Sequence, residues 1–149
     1  MDKCIKVANL YIASLKGLSL INQNSHWTTR GVPFYGNHLL FERIYNSALE
    51  DLDLAAEKLI GLLGDEVLDY ELQADLLHKV LLKYNNLEGS PLEMSLAMEK
   101  DFLKLSSQFY QLLEDEKKLT LGLDDLLCQI SDSREGSVYL LQQSLKGSK

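Results

Sequence analysis

Helical periodicity runs along nearly the whole chain, and only two prolines, Pro33 and Pro91, interrupt it. Both stand at the edges of periodic segments, where a residue without an N–H is tolerated. No stretch keeps the period-2 alternation of β-branched residues that a strand would show. The expectation is an all-α fold in which helices bury one apolar face each.

The first helix is expected over residues 2–26, with Ile5, Ala8, Ile12, Leu15 and Leu18 on one side. A polar turn over 28–33 leads to a second helix that starts near Phe34 and ends at Gly61 or Gly64. Its apolar stripe reads Phe41, Ile44, Tyr45, Ala48, Leu52 and Ala56. A shorter helix spans about 68–84 and stops at Asn85-Asn86. Ser90-Pro91-Leu92-Glu93 then signals a strong start, with Ser90 as cap, Pro91 in the first turn and Glu93 completing a capping box. That third long helix continues to about 118. A fourth covers about 123–146 and ends at Gly147, with Gly136 weakening it locally. Four long helices and one short one imply a four-helix bundle with an extra helix between the second and third. With 149 residues and no internal repeat, the whole of 1–149 reads as one domain.

Composition narrows the function. A hydrophobic content of 46% argues against disorder. The formal charge of −7 argues against a general polyanion binder and suits a protein that attracts cations, or simply one that is soluble. No apolar run approaches the ~20 residues of a membrane span, so no membrane partner is expected. The N-terminus lacks the pattern of a secretory leader. Cys4 and Cys128 have no metal-ligand spacing and read as reduced thiols, so a cytoplasmic protein is expected.

Three groups of candidate metal ligands stand out. His26 closes the first helix, and His38 with Glu42, then Asp53 with Glu57, form two i, i+4 pairs on the second. Each pair shares a helix face. At ~100° per residue the four second-helix residues fall within an arc of about 100°. His38 and Asp53 are nevertheless 15 residues apart, or about 22 Å along the axis. One chain cannot bring them to one ion. Two copies packed antiparallel about a two-fold axis can, with His38 and Glu42 of one meeting Asp53 and Glu57 of the other at two equivalent centres. Imidazole with several carboxylates suits Fe(II) or Mn(II), and also Zn(II). Taken singly, each pair also fits an ordinary solvated face, with Arg43 and Lys58 alongside. His78 carries only that plain reading.

The run His26-Trp27-Thr28-Thr29-Arg30-Gly31-Val32-Pro33-Phe34, followed by His38, Phe41, Glu42, Tyr45, Asp53, Ala56 and Glu57, resembles the signature of the Dps family, the mini-ferritins of the ferritin-like superfamily. That signature reads H-W-x-x-[KR]-G-x-x-F, then His, an acidic residue four later, and D-x-x-A-E-[RK]. The resemblance implies ferroxidase ligands at His26, His38 and Glu42 of one subunit and Asp53 and Glu57 of its two-fold mate. It implies a dodecameric homo-oligomer with a central cavity that oxidises Fe(II) with hydrogen peroxide or oxygen and stores Fe(III), protecting against oxidative damage.

Trp27, beside the site, would in that reading intercept oxidising equivalents. The simpler expectation is a large core filler. The sequence departs from the family pattern at Glu42, where many relatives have Asp, at Thr28-Thr29, where Asn-Val is usual, and at Lys58, where Arg is usual. Asp124 and Asp125 are candidates for an acidic pore. DNA binding is expected to be weak or absent, because the tails offer only Lys3, Lys6, Lys146 and Lys149. The competing readings are a non-catalytic shell or DNA- or partner-binding assembly, a ferritin with its site inside one subunit, and a helical adaptor. The second of these needs Glu-x-x-His motifs, which the sequence lacks.

Overall fold

A computed structural model describes residues 1–147; Lys149, one of the expected tail lysines, lies outside them. The chain forms α1 (Lys3–Thr28), α2 (Phe34–Leu63), a 3₁₀ turn (Asp65–Leu68), α3 (Tyr70–Asn85), α4 (Pro91–Asp115) and α5 (Leu121–Gly147). The described residues contain no strand. α1, α2, α4 and α5 make the bundle, and α3 lies across the connection between α2 and α4, as the periodicity predicts.

The helix starts follow from their caps. Asp2 Oδ1 accepts from Cys4 N at 2.7 Å, and Asp69 Oδ1 accepts from Leu72 N at 3.0 Å. Ser90 Oγ accepts from Glu93 N at 3.2 Å while its hydroxyl donates to the Glu93 carboxylate at 3.3 Å. Two ends differ from expectation. α4 stops at Asp115, because Lys117 takes a left-handed φ of 58° and Lys118 N bonds back to Leu113 O. This is a Schellman closure without its usual glycine. Thr120 Oγ1 then accepts from Leu123 N, so α5 begins at Leu121, earlier than the sequence suggests.

The core is built around α1, which packs against α2, α3 and α4. All five residues of its predicted stripe are buried, and Tyr11 lies against the rings of Phe102 (4.9 Å) and Phe109 (5.4 Å). On α2 the fully buried stripe is Phe41, Ile44, Ala48, Asp51, Ala55 and Leu59; the expected Tyr45, Leu52 and Ala56 are only half-buried. The connection into α3 is pinned by one buried side chain. Asn9 donates to Glu66 O and accepts from Asp69 N and Gln73 Nε2, which satisfies loop groups that would otherwise be orphaned. Tyr84 and Lys83 clip the other end of α3 to Asp101 on α4.

One membrane expectation needs correcting. α1 is long and apolar enough to cross a bilayer, with a mean hydropathy of 1.4 over its best stretch. Residues such as Asn9 and Lys16 break the run, yet the average stays high enough to pass. Most of that stretch, 61%, is buried inside the bundle, and Asn9 and Asn22 are hydrogen-bonded there. These are the properties of a core helix.

The interior also holds a charged cluster. Arg134 of α5 has no exposed surface, and its Nε lies 3.5 Å from Asp51 Oδ2 on α2 and 3.5 Å from Glu99 Oε2 on α4. Burial pushes the Glu99 carboxyl up to about 7, with a further push from Asp51 and an opposing pull from Arg134. One guanidinium facing two carboxylates is neutral overall when Glu99 holds a proton. Glu99 titrates above its ordinary 4.5, so the linked stability is present in full below about pH 4.5 and is lost as pH rises through about 7. Glu99→Gln, which fixes the neutral form, is therefore expected to add roughly 1–3 kcal/mol at pH 8 and little at pH 5. Thermal melts across that range check this; a variant that loses stability with pH as the wild type does would contradict it.

Candidate metal centre

The α1–α2 turn brings two histidines together. Gly31 takes φ 93°, a left-handed conformation that favours glycine, and Phe34 N closes on Gly31 O at 3.0 Å. The chain reverses within a few residues, and the first turns of α2 run back beside the end of α1. His26 and His38 stack with centroids 3.7 Å apart and planes 15° from parallel. Phe34 covers the His38 ring at 5.1 Å, and Tyr45 meets the His26 ring edge-on at 5.5 Å.

The pair is tied by two reciprocal hydrogen bonds. His26 Nδ1 lies 2.7 Å from His38 O, and His38 Nδ1 lies 2.7 Å from His26 O. A carbonyl oxygen can only accept, so both Nδ1 atoms carry the hydrogen and donate. In the neutral imidazoles both Nε2 lone pairs are then left for a ligand, the arrangement in which metal-binding histidines are held. His26 O is one of the final carbonyls of α1, which have no intrahelical partner. The bond from His38 thus serves helix termination and ring orientation together.

Glu42, one turn after His38, completes the group. Ligand atoms of His26, His38 and Glu42 all lie within 4.8 Å of one another. Ligands that share one divalent ion at about 2.1 Å stand roughly 3–3.6 Å from one another, so the side chains would close by about 1–2 Å to hold one. Two imidazoles and a carboxylate are the donor set of many non-haem Fe(II) sites.

Asp53 and Glu57 do not join this group within the chain. Both are exposed, about 22 Å further along α2, on the same face as His38 and Glu42. Their register is symmetric with the first pair. The midpoint between residues 38 and 57 and that between 42 and 53 coincide, between Ser47 and Ala48. The face they share also exposes Tyr35 (69%), Leu39 (44%) and Leu49 (46%).

Trp27 corrects an expectation. It is 64% exposed and is not a core filler; the last turn of α1 turns it outward while the neighbouring Ser25 and His26 are buried. His78 is exposed on α3, in keeping with its plain reading. Asp124 accepts from the Cys128 thiol within the first turns of α5, and Asp125 is exposed. Both cysteines are free, Cys4 buried and Cys128 exposed. The packing of Phe34 and Tyr45 around the imidazoles is not legible in the sequence, although both residues belong to the motif that begins at His26.

No protein-family model matches the chain. Its fold is that of solved Dps proteins. The structure of Dps from Thermosynechococcus elongatus superposes with a TM-score of 0.79 at 19% identity, covering 96% of this chain and 90% of that one. DpsC from Streptomyces coelicolor superposes at 0.80 and 23% identity, covering 95% and 83%. Dps from Microbacterium arborescens, solved in a high iron form, superposes at 0.73 and 15% identity, covering 98% and 97%.

Proposed function

We propose that this chain is a Dps-type mini-ferritin, binding and oxidising Fe(II) at a centre completed by two subunits and storing Fe(III) in a hollow, cytoplasmic shell built from two-fold dimers. The observation that carries the reading is the pre-set half-site of His26, His38 and Glu42, with Asp53 and Glu57 at the symmetric register on the same face of α2. Two copies of α2 packed antiparallel about the point between Ser47 and Ala48 would bring each half-site onto its complement. They would also cover Leu39, Leu49 and Tyr35. The fold shared with a Dps protein solved in a high iron form points the same way.

Each residue then has a task. Nε2 of His26 and of His38 would bind Fe(II), the rings held by their reciprocal hydrogen bonds. Glu42, Asp53 and Glu57 would supply the anionic oxygens that favour Fe(III), the harder product ion. Paired Fe(II) ions give up two electrons together to one hydrogen peroxide. Its O–O bond breaks and, with two protons taken up, two waters form without free hydroxyl radical. Mn(II) or Zn(II) can occupy such a donor set, and Zn(II), which has no redox chemistry, would block oxidation there.

The test is anaerobic Fe(II) addition followed by hydrogen peroxide, with Fe(III) absorbance as the readout and light scattering for particle mass. Fast oxidation in a particle near twelve subunits is expected. A well-folded shell that oxidises iron no faster than buffer would overturn the reading.

DNA binding is expected to be weak or absent. The chain carries −7 formally, and a closed shell multiplies that charge, so phosphate repulsion dominates at physiological salt. A gel shift in low salt that showed tight binding would contradict this.

A further inference from the structure

We infer that Arg134 is a positioning residue for the shared centre, set behind α2 to hold the two half-sites on that helix at a fixed offset from the two-fold axis. The inference rests on the shared-site reading above.

The ligand face of α2 looks outward, and Arg134 grips the opposite side. At ~100° per residue, Ser47 and Asp51 lie roughly 130–170° around the helix from the middle of the ligand arc. Along the axis, Ser47 is at the midpoint of the two half-sites and Asp51 is one turn further on. Arg134 Nη2 donates to Ser47 Oγ and, at 3.4 Å, to Ser137 Oγ. Its Nε lies between Asp51 and Glu99. One fully buried guanidinium therefore joins α2, α4 and α5 at the height where the two-fold axis would cross.

A buried charge here is not the cheapest way to hold a bundle together, since apolar side chains of similar volume are often as stable or more so. What polar contacts add is register. Interdigitated apolar side chains also resist sliding, and a buried hydrogen bond and ion pair add a directional restraint at one axial position. The antiparallel arrangement doubles the effect of any slip. If α2 slides by about 1 Å in each chain, the His half of one subunit and the carboxylate half of the other part by about 2 Å, because the two helices move in opposite senses. Misplacement on that scale can cost on the order of 100-fold in rate.

Co(II) titration of the assembled protein tests this, because the visible absorption of Co(II) reports coordination independently of oxidation. Three proteins are compared: wild type, Ser47→Ala, and Glu99→Gln/Arg134→Gln, whose interior carries less uncompensated charge than Arg134→Gln alone. Each is also made with Asp53→Asn/Glu57→Gln added, and circular dichroism and light scattering check fold and mass. The expected result is Co(II) affinity reduced at least about 10-fold in the double variant and about 3-fold in Ser47→Ala, with a changed absorption band. Adding the carboxylate substitutions to Glu99→Gln/Arg134→Gln should then cost less than it does in wild type, which a purely structural role for Arg134 would not produce. Folded variants with the wild-type affinity and band would overturn the inference; if the double variant fails to fold, Ser47→Ala decides it. If Asp53→Asn/Glu57→Gln leaves wild-type Co(II) binding unchanged, the shared-site reading falls and this inference with it. If those substitutions weaken binding while the grip variants do not, only the inference falls.

Discussion

His26→Ala/His38→Ala is expected to slow peroxide-driven Fe(II) oxidation by roughly 100-fold or more, since losing even the groups that orient metal ligands costs 10–100-fold. The substitution removes both nitrogen donors and both reciprocal hydrogen bonds. It leaves the main core intact, because that cluster lies around Tyr11, Phe102 and Phe109. Helical content and particle mass should therefore persist, while the Fe(III) absorbance change falls to the rate in buffer. Stopped-flow absorbance on the purified variant measures it; oxidation within a few-fold of wild type would remove the imidazoles from the mechanism.

The second large effect is expected from the other end of α2. Asp53→Asn/Glu57→Gln should slow oxidation to a similar extent, on the order of 100-fold, although these residues lie about 22 Å from His38 in their own chain. Both side chains are exposed, so the substitution should cost little stability. A loss of activity this large from two exposed side chains follows if a second subunit brings them to the imidazoles. Unchanged kinetics would reduce Asp53 and Glu57 to a solvated face.

Much of this was legible in the chain itself. The helices follow from spacing, caps and breakers, all of which are local. The grouping of His26 with His38 and Glu42 was implied by the motif resemblance rather than by local spacing, and the Gly31 turn that returns His38 to His26 is visible only in the folded chain. The ends of α4 and α5 were harder to read, because a lysine takes the left-handed closing position where glycine is the usual signal. Trp27 misled because an aromatic at a helix end reads as core, and only the packing of the last turn of α1 reveals that it faces out. The Arg134 cluster was invisible for a different reason. Asp51, Glu99 and Arg134 come from three helices, and nothing local marks a charged residue as buried. The hint was Asp51 itself, which falls at i+3 from Ala48 on the α2 core stripe.

Subunit complementation tests most directly whether a second subunit completes the oxidation centre. His26→Ala/His38→Ala and Asp53→Asn/Glu57→Gln chains are each made inactive, then dissociated, mixed in equal amounts and reassembled. A two-fold dimer with one chain of each kind has one centre with all its ligands and one lacking both halves. With random pairing, half the dimers are mixed, so roughly a quarter of the wild-type oxidation rate should return. A mixture that stays as inactive as its two components, despite light scattering and mass spectrometry showing mixed particles, would contradict the shared centre.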